Sequence, residues 1–306
     1  MAGAERRRQQ EKEDTSMETE LDIRSARIFY DGLLTEPRLD HPEGLAVHRD
    51  GSIWCGGERG QIYRIETDGS SMEQVASSGG FSQGMAFDAE DNLYVCDLMH
   101  AAIMRLDARS GALEKFADGV NGRGIKISNF PAFDSEGRLY VSDSHAFKEP
   151  GPGIFRFNPD GSGELWYDEP INFANGLALS ADGRHLYVAE TFGNAVFRVA
   201  IADDGSAGIR EEVASLPGVL PDGLAFDTEG NLYVACYEPS QVLRISHDGA
   251  VSRFIGDEEA HLFCHPTNLA FRGSTLFTTN LGRWHITIVE TTREGLPLYG
   301  GYVSGR

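Results

Sequence analysis

The sequence predicts an all-β protein, a six-bladed β-propeller of four-stranded antiparallel blades, on two observations: a glycine-rich motif recurs six times, and one strand cassette recurs behind it. The first copy of the motif reads Pro42-Glu43-Gly44-Leu45-Ala46-Val47-His48-Arg49-Asp50-Gly51. Marked by the residue before its Gly-Leu-Ala-Phe-Asp type strand, the series is Glu43, Gln83, Asn129, Asn175, Asp222 and Thr267, at intervals of 40, 46, 46, 47 and 45 residues. A period in the forties is that of a propeller blade.

The cassette is clearest in the fifth unit, GLAFDTEGNLYVACYEPSQVLRISHDGAVSRFIG. Segments 223–227, 231–236, 241–246 and 251–255 are apolar or alternate, and Thr-Glu-Gly-Asn, Glu-Pro-Ser and His-Asp-Gly supply the turns between them. Second strands recur as IWCGG (53–57), LYVCD (93–97), LYVSD (139–143), LYVAE (186–190) and LFTTN (276–280). Third strands recur as QIYRI, AIMRL, GIFRF, AVFRV and QVLRI.

The sixth unit carries three strands and a short tail, so its outer strand must come from elsewhere. Residues 26–32 share Phe-x-Asp-Gly with the outer strand of the second unit, 113–119. Pairing that N-terminal strand with the last blade closes the ring and removes the open edges of a linear array. The expected organisation is therefore a propeller over 24–306 behind a charged tail, 1–23, which reads as solvated or disordered, with a short capping helix as the alternative.

Composition narrows the partners. Hydrophobic residues make 41% of the chain, enough for a sizeable core, while 47 acidic against 27 basic side chains give a net charge of -20. That charge repels a phosphate backbone, so nucleic acid is not expected despite Arg6-Arg7-Arg8. No apolar run approaches the roughly 18 residues of a spanning helix, and the N-terminal stretch lacks the apolar core of a signal peptide. Cys55, Cys96, Cys236 and Cys264 show no CxxC spacing and read as free thiols in a reducing compartment, which places the protein in the cytoplasm.

In a propeller the first strand of each blade lines the central channel, so the six variable side chains converge on one axis. They comprise two carboxylates, Glu43 and Asp222, three amides, Gln83, Asn129 and Asn175, and Thr267, with no cation. Two carboxylates brought together without a counter-ion raise each other's pKa or take a metal. Oxygen-only donors suit Ca²⁺, which takes about 6–8 oxygens, whereas zinc more usually recruits His or Cys. The alternative, a hydrogen-bonded polar ring around a water-filled channel, stands equally well on composition alone.

At these residues the chain resembles the senescence-marker protein 30, gluconolactonase and luciferin-regenerating-enzyme family, with kinship to diisopropylfluorophosphatases and paraoxonases. The resemblance implies a catalytic divalent cation on the channel axis. Its implied ligands are Glu43 in HPEGLAV, Asn175 in FANGLALSADG, Asp222 in LPDGLAFDTEG and Asn129 in SNFPAFDSEG, where Ser-Asn-Phe replaces the family's Pro-Asn-Asp. The sugar-lactonase branch has an Arg two residues before the middle Asn, and this chain has Ile127. Glu-Gly-Leu replaces that branch's Glu-Gly-Pro, and LYVAETFGNAVFRV is similar to metal-free strictosidine synthases.

The expectation is a lactone-opening carboxylic ester hydrolase whose substrate is less polar than a sugar lactone. Its cofactor is a divalent cation, Ca²⁺ first, with Zn²⁺, Mn²⁺ or Mg²⁺ as alternatives, and Asp222 is the catalytic base or nucleophile. Fluorophosphatase-like hydrolysis, a metal-free synthase and a non-catalytic binding platform are the competing readings. Substrate contacts are expected at Gln83, Asp143, His145, Phe173, Tyr237 and Trp284, on the channel and on loops following second strands. The longest such loop, 145–153, reads as a shaped lid. His145 and His285 are candidates for proton transfer, and Phe81 and Phe147 for an apolar lining.

Overall fold

The computed structural model describes residues 19–301. It is a six-bladed propeller of four-stranded antiparallel sheets. Blade five consists of Leu220–Phe226, Leu232–Glu238, Gln241–Ile245 and Val251–Gly256, within three residues of the sequence expectation at every end. Blade six consists of Pro266–Arg272, Thr275–Asn280 and His285–Glu290, closed by the N-terminal strand Ala26–Asp31. That closure is antiparallel, with Ala26 opposite Val289 and Asp31 opposite His285. The solvated tail expected over residues 1–18 lies outside the described residues. Residues 19–21, also assigned to the tail, instead run beside the outer strand of blade five, where Glu20 N–H donates to Arg253 O at 2.9 Å.

The register explains the repeated frame. The alanine of every first strand stands opposite an aromatic of the second strand: Ala46 and Trp54, Ala86 and Tyr94, Ala132 and Tyr140, Ala178 and Tyr187, Ala225 and Tyr233, Ala270 and Phe277. A small residue beside a large one leaves the aromatic free to lean onto the next blade. Trp54 meets Phe87, Tyr94 meets Phe133, Tyr187 meets Phe226 and Tyr233 meets Phe271, edge to face at 5.6, 5.0, 4.9 and 5.1 Å. Such pairs each contribute about 0.5–1.5 kcal/mol beyond the area they bury. The aspartate of the frame serves the turn: Asp227 accepts Glu229 N–H at 3.0 Å and Asn231 N–H at 2.9 Å, and Gly230 supplies the positive φ of 82° there.

The lower half of the channel is apolar and closed. A cavity of about 110 Å³ there is lined by Val47, Phe87, Phe133, Leu179, Phe226 and Phe271 and covered by Leu296, Leu298 and Tyr299. The covering segment is tied across the lower face, with Leu296 N–H donating to Phe226 O at 2.9 Å and Thr228 N–H to Glu294 O at 2.8 Å. A polar groove between blades four and five contains none of the six axial residues. The polar upper end of the channel is therefore where the chemistry-bearing side chains meet.

Candidate metal centre and active site

A β-bulge at the start of the first strand aims the variable side chain in blades two to six. In blade two, Ser82 stands opposite Asp97 and Met85 opposite Val95, so Gln83 and Gly84 share one place in the ladder. The same extra residue occurs at Asn129–Phe130, Asn175–Gly176, Asp222–Gly223 and Thr267–Asn268. A bulged residue leaves the regular pleat and its side chain is redirected. The glycine that follows lets neighbouring innermost strands approach. A Cβ on Gly44 would lie 1.9 Å from Gln83 O, and one on Gly176 would lie 2.2 Å from Asp222 O.

Glu43, Asn129, Asn175 and Asp222 come out buried, with 3–5% of each exposed. Each carries an oxygen without a hydrogen-bond partner: Glu43 Oε2, Asn129 Oδ1, Asn175 Oδ1 and Asp222 Oδ1. Gln83 Oε1 is a fifth. Thr267 differs, because its hydroxyl donates to Glu43 O at 2.9 Å and sits 3.2 Å from Thr279 Oγ1.

The two asparagines are oriented by hydroxyls that sequence reasoning missed. Asn129 Nδ2 donates to Ser144 Oγ at 2.9 Å, and Asn175 Nδ2 donates to Thr191 Oγ1 at 3.1 Å. With each Nδ2 held by a hydroxyl, the carbonyl oxygens are the amide atoms left without a partner for a ligand to meet. A signal was present in the repeat: blades three and four, which carry Asn at the variable position, also carry Ser144 after Asp143 and Thr191 after Glu190.

Among the described residues neither carboxylate has a counter-ion. Burial pushes the Glu43 carboxyl well above the usual carboxylate range, and the Asp222 charge raises it further. Burial also raises Asp222, against a smaller lowering by its hydrogen bond with Asn175. Each buried acceptor left unpaired costs about 1–3 kcal/mol, and more when charged. Two carboxylates and two amide carbonyls, all unpartnered on one axis, fit a hard divalent cation. Among the described residues no three His, Cys, Asp or Glu side chains converge, so the donor set is not of the zinc type.

The rim residues fare unevenly. Asp143, expected at the substrate, is buried, and its carboxylate accepts Lys126, Ile127 and His145 N–H at 3.0, 2.8 and 2.9 Å, which ties the loop. Burial raises its pKa while those three donors lower it. His285 is also buried, with Nε2 3.0 Å from Leu262 O, and burial lowers its pKa. His145 lies on the loop with a φ of 62°, its Nε2 accepting from Lys126 Nζ at 3.2 Å.

Phe173 joins Phe147 and Phe192 in an aromatic cluster, with centroids 6.2 Å (Phe147–Phe173), 5.0 Å (Phe173–Phe192) and 4.7 Å (Phe147–Phe192) apart. Phe147 is 68% exposed, so the cluster presents an apolar face. Tyr237 stacks on His265 at 4.5 Å, and its hydroxyl is raised by burial and then by the Asp222 charge. Trp284 packs on His41 at 4.7 Å beneath the Arg38 guanidinium, with its Nε1 unpartnered. All four cysteines are free.

The family model for the SMP-30/Gluconolactonase/LRE-like region matches residues 42–280. Lactonase drp35 of Staphylococcus aureus strain MW2 is 33% identical over 248 residues, 73% of this chain and 74% of that protein. Lactonase drp35 of Staphylococcus haemolyticus strain JCSC1435 is 27% identical over 219 residues, 68% of this chain. The match spans 66% of that relative's length and 44% of the drp35 of Staphylococcus aureus strain USA300, less than two thirds of each. A gluconolactonase of Xanthomonas campestris superposes with a TM-score of 0.71 at 23% identity, covering 87% of this chain and 89% of that one. The calcium-binding protein regucalcin of Agrobacterium tumefaciens strain C58 superposes with a TM-score of 0.69 at 19% identity, covering 85% and 96%. These two share the fold.

Proposed function

This chain belongs to the SMP-30/gluconolactonase/LRE-like family, and from that premise we propose that it hydrolyses a lactone, as a carboxylic ester hydrolase dependent on a divalent cation. Four buried oxygens without partners, one each from blades one, three, four and five, carry the reading. Glu43, Asn129, Asn175 and Asp222 would hold the cation, Ca²⁺ before Zn²⁺, Mn²⁺ or Mg²⁺. A scaffold propeller gains nothing from two uncompensated acids at its centre, so the binding-platform reading is set aside.

When bound, such a cation would polarise the lactone carbonyl and stabilise negative charge on its oxygen. The chain's own residues do the rest. Ser144 and Thr191 lock the two amides, so the donor set is organised before substrate arrives. Asp222 takes a proton from water as the water oxygen bonds to the carbonyl carbon and the C=O electron pair moves onto oxygen. Collapse breaks the ring C–O bond, the departing alkoxide takes that proton back, and a hydroxy acid results.

Ile127, in place of the sugar-lactonase arginine, and the Phe147–Phe173–Phe192 face support a substrate less polar than a sugar lactone. Gln83, Tyr237 and Trp284 are its other proposed contacts, with His145 on the lid. Four free cysteines support a reducing, cytoplasmic setting, and no helix of the described residues is long and apolar enough to cross a membrane. Asp222→Asn tests the assignment: turnover is lost while the far-UV spectrum and cooperative unfolding persist, and full activity in that variant overturns it.

A further inference from the structure

Blade six departs from the repeat at one position. The residue after the variable side chain is glycine in four blades, Gly44, Gly84, Gly176 and Gly223, and Phe130 in the third; in the sixth it is Asn268. Glycine suits the blades, because a Cβ at those four positions would fall within 3 Å of the next strand's backbone. Asparagine therefore answers to something other than blade construction.

Asn268 is 1% exposed, as deep as the proposed ligands. Its backbone is satisfied through Thr279, whose hydroxyl lies 3.1 Å from Asn268 N and 3.3 Å from Asn268 O. Its side chain is not: neither Oδ1 nor Nδ2 has a partner. Oδ1 lies 3.4 Å from the point a Cβ on Gly223 would occupy, which sets the carboxamide against the bulge that carries Asp222. Because both amide atoms are unpaired, this holds for either orientation of the group.

The chemistry of the centre says what this amide is for. The unpartnered atoms of Glu43, Gln83, Asn129, Asn175 and Asp222 are all acceptors, and the NH₂ groups of Asn129 and Asn175 each already have a hydroxyl partner, Ser144 and Thr191. An acyl-transfer site also needs a hydrogen-bond donor aimed at the oxygen that gains charge. Of the three buried asparagines on the innermost strands, Asn268 alone has an unpartnered NH₂.

We propose that Asn268 Nδ2 is a catalytic donor, giving a hydrogen bond to the lactone carbonyl oxygen as water attack turns it into an oxyanion. The inference rests on the lactone-hydrolase reading above. Removing one such donor costs about 100- to 1,000-fold in kcat.

The test uses the full chain with Asn268→Gly, which restores the residue four blades carry, and Asn268→Leu, which keeps the size without the donor. Four quantities are measured: kcat, KM, calorimetric Ca²⁺ affinity, and affinity for a cyclic phosphonate whose anionic oxygen stands in for the oxyanion. In both variants kcat and phosphonate affinity fall by about 100-fold, while KM and Ca²⁺ affinity change little. Wild-type kcat and phosphonate affinity in Asn268→Gly overturn the inference alone. Ca²⁺ affinity falling in step with kcat also overturns it, making Asn268 a ligand instead. A wild-type protein that opens no lactone overturns the hydrolase reading and this inference with it.

Discussion

Asn175 Nδ2 donates to Thr191 Oγ1 at 3.1 Å, and that hydroxyl donates onward to Pro221 O at 2.8 Å, one residue before Asp222. Blade three repeats the relay: Asn129 Nδ2 donates to Ser144 Oγ at 2.9 Å, which donates to Ala174 O at 2.7 Å, one residue before Asn175. The orientation of each amide is thus tied to the backbone of the next proposed ligand. Three proposed ligands are linked by a run of two hydrogen-bond relays across three blades.

Thr191→Val breaks that run without changing the side chain's shape. The Asn175 amide loses its hydroxyl partner, and Pro221 O loses the hydroxyl that donates to it. Ca²⁺ affinity measured by calorimetry is expected to fall about 10- to 100-fold, as when other groups that orient metal ligands are removed. Stability of the chelated protein falls by about 1–3 kcal/mol in denaturant titration. Undiminished affinity contradicts the orienting role.

The contrast between Gly176 and Gly183 tests why the centre can form at all. A Cβ at 176 meets Asp222 O at 2.2 Å, whereas one at 183 meets nothing within 4 Å and faces only the strain of a φ of 67°. Gly176→Ala should cost about 1–3 kcal/mol or more through overpacking and also weaken Ca²⁺ binding, because it pushes Asp222 away. Gly183→Ala should cost about 1–2 kcal/mol and leave Ca²⁺ binding intact. Equal Ca²⁺ affinity in the two variants counts against the close-approach account.

Much of this was legible in the sequence because a propeller repeats its construction rules. The Ala opposite an aromatic and the Asp that ties each turn recur in register, so blade boundaries followed from comparing units, and the residue that escaped the rule marked the axis. What stayed hidden depends on three-dimensional direction. Asp143 looked available at a strand end, yet a carboxylate beside the backbone N–H groups of 126, 127 and 145 is drawn inward. Nor did the pattern reveal the bulges, since an extra residue is invisible until its partner strand is counted. Segment 294–301, outside the cassette, gave no sign that it closes the lower channel.

Asp257 gives a pH-dependent prediction away from the centre. Burial pushes its carboxyl up, but N–H groups of Glu259, His261, Leu262 and Phe263, at 3.1, 2.8, 2.7 and 3.1 Å, prevail, and its pKa lies below the ordinary value. A carboxyl whose folded pKa is depressed stabilises above its unfolded pKa of about 3.9, and that contribution is lost as pH falls through the folded value. Asp257→Asn should therefore cost about 1–3 kcal/mol at pH 7, with the gap to wild type narrowing as unfolding is repeated at progressively lower pH below that range. A gap that widens on acidification contradicts the assignment.

The most direct test of the central claim follows acid release from a panel of γ- and δ-lactones in an indicator assay. Purified protein is assayed as isolated, after exhaustive chelation, and after Ca²⁺ is returned. Lactone opening that chelation abolishes and Ca²⁺ restores, absent throughout in Asp222→Asn, is the predicted result. Turnover undiminished by chelation, or no turnover of any lactone in the Ca²⁺-loaded protein, would contradict it.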